Sequence, residues 1–167
     1  MIDLRALCTK KLDAPAPLPY ISRKALKRIK HALPVPTSCN CCNGTSVSLV
    51  ENSEIYNGRS YGAWPYAYLC RDCRAYIGLH PDTDLPLGTL ADKPLREARN
   101  RCKRPFEQIW RDGHMPRPEA YAWLALQLGL SAEHCHFGLF DIDRCEQARQ
   151  VCEQFLHTSA APYAAYA

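Results

Sequence analysis

Four cysteines constrain this chain more than any other residues. They stand as two Cys-x-x-Cys pairs, Cys39/Cys42 and Cys70/Cys73. Such a pair on a tight knuckle turn sets its two sulfurs about 4 Å apart, the edge of a tetrahedron with Zn–S bonds of about 2.3 Å. Two pairs on neighbouring loops close a four-thiolate site. The 27 residues between them are enough for an antiparallel excursion that brings the chain back. The expected product is a zinc ribbon: a small antiparallel sheet on a four-cysteine site holding one structural Zn2+. Four buried free thiols are the competing reading, and two independent pairs of equal spacing disfavour it. A redox pair would need only one Cys-x-x-Cys beside a βαβ pattern, which is absent. Cys41 lies inside the first pair, but a Cys-x-Cys spacing fits the knuckle less well, so Cys41 stays outside the ligand set. A closed site of four thiolates has no position for water, so the metal is structural and implies no enzyme.

The chain around this motif has 167 residues, ten cysteines in all, and a hydrophobic content of 47%, ordinary for a globular protein. No run of about 18 apolar residues occurs, so no transmembrane helix is expected. Met1 to Lys11 carries Asp3, Arg5, Lys10 and Lys11 and lacks the features of a secretory signal. Cysteine-rich but without that signal, the protein is expected in the reducing cytosol.

Proline separates the first segment from the rest. Asp13 to Pro19 holds three prolines and reads as an extended linker. A helix is expected next, capped by Ser22, with Ile21, Ala25, Leu26, Ile29 and Leu33 on one face and Pro34 and Pro36 ending it. Its other face carries Arg23, Lys24, Lys27, Arg28 and Lys30. Within 46–56 the β-branched, alternating pattern predicts one or two strands. Asn57-Gly58 signals a turn, and short strands are expected at 66–69 and 75–79. Past the loop 80–88, Asp92 caps a helix to about Cys102, which Pro105 kinks or divides from a second helix through Trp110. Pro118 opens another, stopped by Gly129. Asp141 or Asp143 caps the last, which runs to about His157. The fold class is therefore α+β: a zinc ribbon flanked by a basic N-terminal helix and a C-terminal helical part. The expected organisation is a basic arm and helix over 1–37, the ribbon over 38–90, a helical part over 91–157 packed on it, and a loose tail over 158–167.

Three segments then carry a family likeness. They are Ile55-Tyr-Asn-Gly-Arg-Ser-Tyr-Gly62, the long stretch Cys70-Arg-Asp-Cys-Arg-Ala-Tyr-Ile-Gly-Leu-His-Pro-Asp-Thr-Asp to Ala91, and Ala120-Tyr-Ala-Trp-Leu-Ala125 with Cys135-His-Phe-Gly-Leu-Phe-Asp141. Together, over about residues 38–152, the chain resembles a family of zinc-finger-containing domains in uncharacterised proteins of bacteriophages and prophages. The resemblance implies zinc and a phage or bacterial origin, and supplies no biochemical activity. That family opens with Cys-Pro-x-Cys-Gly. Here Cys39-Asn-Cys-Cys42-Asn-Gly44 keeps the ligand spacing, replaces the proline and displaces the glycine by one.

Charge supplies the candidates for function. Residues 1–38 hold eight Lys/Arg against two Asp, and residues 92–111 hold seven basic against three acidic residues. Basic blocks attract phosphate backbones, although solvated helix faces look the same. Arg23, Lys24, Lys27 and Arg28 on the first helix, Arg71 and Arg74 near the ribbon, and Arg96 and Arg99 on the following helix are the candidate nucleic-acid contacts. Tyr61, Trp64, Tyr66 and Tyr68 interleave with the ribbon arginines and offer stacking surfaces or sheet core. The leading expectation is a non-catalytic, zinc-stabilised binding protein whose partner is nucleic acid. The alternative is a module that engages a host protein complex in transcription, replication or defence, for which the acidic 112–167 part is suited. A third reading is a metal-dependent nuclease built on His80, Asp82 and Asp84, against which stands a proline-rich turn whose aspartates bond nearby backbone N–H groups. Cys102, Cys135, His136 and Cys145 match no usual ligand spacing; the cysteines read as core thiols, with Cys145 and Cys152 seven apart on one helix face.

Overall fold

A computed structural model describes residues 3–160. Its contacts divide the chain into two units that part between Asp92 and Lys93.

The first unit is built on a three-stranded antiparallel sheet of order β1-β2-β3: β1 (Val47–Glu51), β2 (Tyr66–Cys70) and β3 (Tyr76–Gly78). The register sets Leu49 opposite Tyr68 and Tyr68 opposite Ile77. Strand alternation therefore puts Val47, Leu49, Tyr66, Tyr68 and Ile77 on one face, where Leu18 and Leu79 pack against them. Sequence alternation foresaw strands here. The expected 46–56 segment resolves into one strand followed by a 3-10 turn at Asn52–Glu54.

The basic N-terminal helix is much shorter than its apolar spacing predicts. Helix α1 spans only Arg23–Leu26, capped by the Ser22 Oγ, which accepts from the Ala25 N–H at 3.3 Å. The next turn tightens, with Arg28 N–H donating to Ala25 O and Ile29 N–H to Leu26 O. The reason lies in the charges. Arg23, Lys24, Lys27, Arg28 and Lys30 are like-charged neighbours at helical spacings with no acid among them, and such pairs destabilise a helix. The apolar part of the expectation stands: Ile21 and Leu26 are buried with Ala6 and Leu85, and Ile29 packs against them.

Among the described residues the second unit has three α-helices, α2 (Lys93–Arg111), α3 (Arg117–Gln127) and α4 (Ile142–Ala160), and a 3-10 turn at Phe137–Leu139. α2 runs unbroken through Pro105. The ring removes the N–H that would have met the carbonyl of Arg101, an exposed residue whose carbonyl can turn to water. Gly129, with φ of 62°, ends α3, and the Leu130 N–H returns to Ala125 O. Asp141 caps α4, its Oδ1 accepting from the Arg144 N–H at 2.7 Å. Phe106, Ile109, Leu124, Phe137 and Phe140 are buried in the core. Cys102, Cys135, Cys145 and Cys152 lie in the same core, as small hydrophobes do. Burial pushes Cys135 up to about 11 and Cys152 up to about 12. Helix α4 runs through Ala160, past its expected end near His157 and into the expected tail 158–167, whose outer part, 161–167, lies outside the described residues.

Candidate metal centre

Each Cys-x-x-Cys pair sits on the same backbone device. In the first, Asn43 N–H donates to Cys39 O, and Cys39 N–H donates to Gly44 O, both at 2.8 Å. In the second, Arg74 N–H donates to Cys70 O at 3.0 Å, and Cys70 N–H to Ala75 O at 2.8 Å. The residue after each second cysteine is left-handed: Asn43 at φ 59° and Arg74 at φ 64°. Asparagine tolerates that conformation well, which explains how the first knuckle keeps its turn without glycine directly after Cys42. Gly44 has another task. A Cβ there would overlap the Asp72 carboxylate and come within 3.2 Å of the Cys42 Sγ.

The knuckles bring the four sulfurs within 4.8 Å of one another. Cys39 Sγ lies 3.6 Å from Cys73 Sγ, and Cys42 Sγ 3.6 Å from Cys70 Sγ. A tetrahedral ion with Zn–S bonds of about 2.3 Å needs edges of about 3.8 Å, so these residues fit zinc. Backbone N–H groups already point at the sulfurs, Cys41 N–H at Cys39 Sγ and Gly44 N–H at Cys42 Sγ, both at 3.4 Å. Burial raises the Cys39 thiol, but the amides of Cys41 and Cys42 and the Cys73 thiol outweigh it and bring Cys39 down to about 7. Burial holds Cys73 up at about 12. A shared cation resolves the contest, because it makes every thiolate favourable. Cys39, Cys70, Ala75 and Leu90 form the small core behind the site. Cys41 turns away, with its Sγ 3.7 Å from Leu90 O, and Asn40 Nδ2 donates to the same carbonyl at 3.0 Å. The closed four-cysteine cluster is thus a single structural zinc site on a zinc ribbon.

Asp82 and Asp84 are engaged by the N-terminal arm, an arrangement neither expectation included. Asp84 is buried and accepts a bidentate pair from Arg5, at 2.7 and 2.8 Å. Asp82 Oδ1 accepts from the Tyr20 hydroxyl at 2.7 Å, and its carbonyl accepts from the Ser22 N–H. The His80 carbonyl accepts from the Thr83 N–H and hydroxyl. The loop clamps the N-terminal arm, and its aspartates meet side chains rather than backbone N–H groups. Arg5 also pairs with Asp3, whose carboxyl the Arg5 hydrogen bond holds below the usual range. Nothing in the local sequence around Arg5 announces this pairing.

The candidate phosphate contacts divide. Arg71 is tied to Glu54 and to Ser48 Oγ, and Arg74 donates to Glu54 O. Arg99 is buried, its Nε donating to Phe140 O at 2.9 Å, which turns its guanidinium inward. Arg96 is half-buried. Arg23 reaches across to the carbonyls of Thr9 and Lys10, at 3.2 and 2.6 Å. That clamp draws Lys10 and Lys11 toward the turn carrying Lys24, Lys27, Arg28 and Lys30, all of them exposed. Lys10 and Lys11 are separated from the helix in sequence by the proline-rich 13–19 segment, and the Arg23 bonds together with the packing of Leu12 beside Ile21 and Leu26 join them to it. Among the ring-bearing candidates, Tyr68 is sheet core, while Trp64 packs against Tyr20 and Tyr66.

No helix of the described residues is long and apolar enough to cross a membrane. No curated protein and no solved structure matches the chain significantly. Residues 35–155, which contain both knuckles, the sheet and most of the helical unit, match the family described as a zinc-finger-containing domain. The chain belongs to that family of zinc-finger-containing domains.

Proposed function

We propose that this zinc-stabilised binding protein is of phage or prophage origin, acts in the cytosol and binds nucleic acid through its N-terminal arm. One observation carries the reading. The Arg23 clamp gathers Lys10 and Lys11 with Lys24, Lys27, Arg28 and Lys30, and none of these six exposed residues has an acidic partner among the described residues. Unpaired cations at this density are a phosphate-binding surface. Zinc holds the ribbon on which the arm is anchored. The contact set therefore shifts toward the arm, with Arg71 and Arg74 occupied by Glu54 and Arg99 enclosed in its helical core.

Binding of a labelled single-stranded oligonucleotide between 50 and 200 mM salt tests this. About five phosphate contacts give a slope of about −3.5 in log K against log salt, hence about a hundredfold loss over that range. Lys27→Ala with Arg28→Ala should flatten the slope by about 1.4. A salt-independent affinity would contradict phosphate contacts. A role in engaging a host protein complex has separate support in the free edge of β1.

A further inference from the structure

β1 is an edge strand, and its outer side is open. The ladder to β2 ends on Arg71 N–H to Ser46 O and Asn52 N–H to Pro65 O. Antiparallel pairing alternates every second residue, so Ser48 and Val50 bond β2, while the N–H and C=O of Leu49 and Glu51 point away from it. Those outward groups meet no other backbone or side chain among the described residues. Leu49, Val50 and Glu51 line a groove of about 730 Å³ together with Ala16 and Pro17 of the extended arm. Ser53, Asn57 and Gly58 also line it, as do Glu54 and Arg71, which form an ion pair.

Two features say what fits. Adjacent strands sit about 4.8 Å apart, so an extended backbone beside β1 completes the outward hydrogen bonds. Glu51 is exposed with no cationic partner among the described residues, whereas the other two charges of the groove, Glu54 and Arg71, neutralise each other. The unbalanced charge is therefore one carboxylate, on the same sheet face as Leu49.

We infer that the β1 edge is a docking site for an extended segment of a partner protein that adds as a fourth strand. The segment places an apolar side chain in the groove that Leu49 shares with Ala16 and Pro17, and a Lys or Arg two positions away, opposite Glu51. Main-chain bonds supply the affinity and the two side chains the selectivity, as in other strand-addition sites. This inference is independent of the nucleic-acid reading, since none of the arm's unpaired cations lines the groove.

The test uses the full chain with bound zinc and a capped peptide of sequence Thr-Val-Thr-Val-Thr-Lys-Thr-Val-Thr. Amide exchange read by NMR should slow at Leu49 and Glu51, with Ser48 and Val50 little changed. Replacing the peptide lysine by glutamate should weaken binding about two- to fivefold, the range of a cross-strand ion pair, and Glu51→Lys should reverse that preference. Four results would overturn the inference: no added protection at Leu49 and Glu51 with millimolar peptide; equal binding by a peptide N-methylated at alternate amides; protection that rises with protein concentration alone, which assigns the edge to a second copy of this chain; or protection by an oligonucleotide in place of peptide.

Discussion

Arg5→Ala is the most informative single change. Arg5 meets Asp84 with two hydrogen bonds of 2.7 and 2.8 Å, and the Asp84 side chain is only 6% exposed. Removing one partner of a buried pair leaves an uncompensated charge and costs about 3–5 kcal/mol. The Arg5 side chain is 38% exposed, so water screens part of the interaction, and about 2 kcal/mol is the expected loss. Asp84→Asn should cost less, about 1 kcal/mol, because it keeps the shape, removes the buried charge and leaves Arg5 its bond to Asp3. Urea unfolding of the zinc-loaded protein, followed by tryptophan fluorescence, measures both. Trp64 reports on this region because its Nε1 donates to Thr83 O in the same loop. Exchange at the Ser22 amide, bonded to Asp82 O at 2.8 Å, separates local release of the arm from global unfolding. The pH dependence adds a sign. Asp3 is held below the usual carboxylate range by Arg5, so its contribution is present above its unfolded value, about 4, and is lost as pH falls through the folded one. Wild type should therefore weaken between pH 5 and 3 more than Arg5→Ala does. If Asp84→Asn costs more than Arg5→Ala, or if Arg5→Ala costs under about 0.5 kcal/mol, the buried pair does not hold the arm.

Zinc removal by a strong chelator, or Cys70→Ser, should unfold the ribbon while circular dichroism retains the signal of α2 to α4, whose core is their own. Elemental analysis should find one zinc per chain, and Cys41→Ser should keep it. Gly44→Ala should weaken zinc binding about tenfold, the size of effect seen when groups supporting metal ligands are disturbed. The exposed Asp72 carboxylate can swing aside, but the Cys42 sulfur, 3.2 Å from the new Cβ, is held as a ligand. Competition with a colorimetric chelator reads this. Arg74→Gly should raise the urea midpoint by about 1 kcal/mol of stability, because a non-glycine at φ 64° carries a penalty of that order, more than its exposed contacts with Glu54 return.

The zinc site could be read directly because its information is local. Two knuckles of four residues each name their ligands by spacing, and the 27-residue excursion between them needs only alternating strands and the Asn57-Gly58 turn to return. The helices of the second unit were legible for the same reason, through caps and stops such as Asp141 and Gly129. Apolar spacing alone overstates helix α1, because it leaves out the repulsion among the cations on the other face. The roles of Asp82 and Asp84 were hidden because their partners stand 62 and 79 residues away, and a carboxylate in a turn looks alike whether it faces water, metal or a distant arginine. The same holds for Lys10 and Lys11, which join the basic surface through the Arg23 clamp and the packing of Leu12 on the Ile21 and Leu26 core. By itself, then, the sequence determined the metal, its four ligands and the ribbon that surrounds them. Only the tertiary structure decided which charges are free and which are bound, because that depends on who stands opposite each side chain once the arm has folded back.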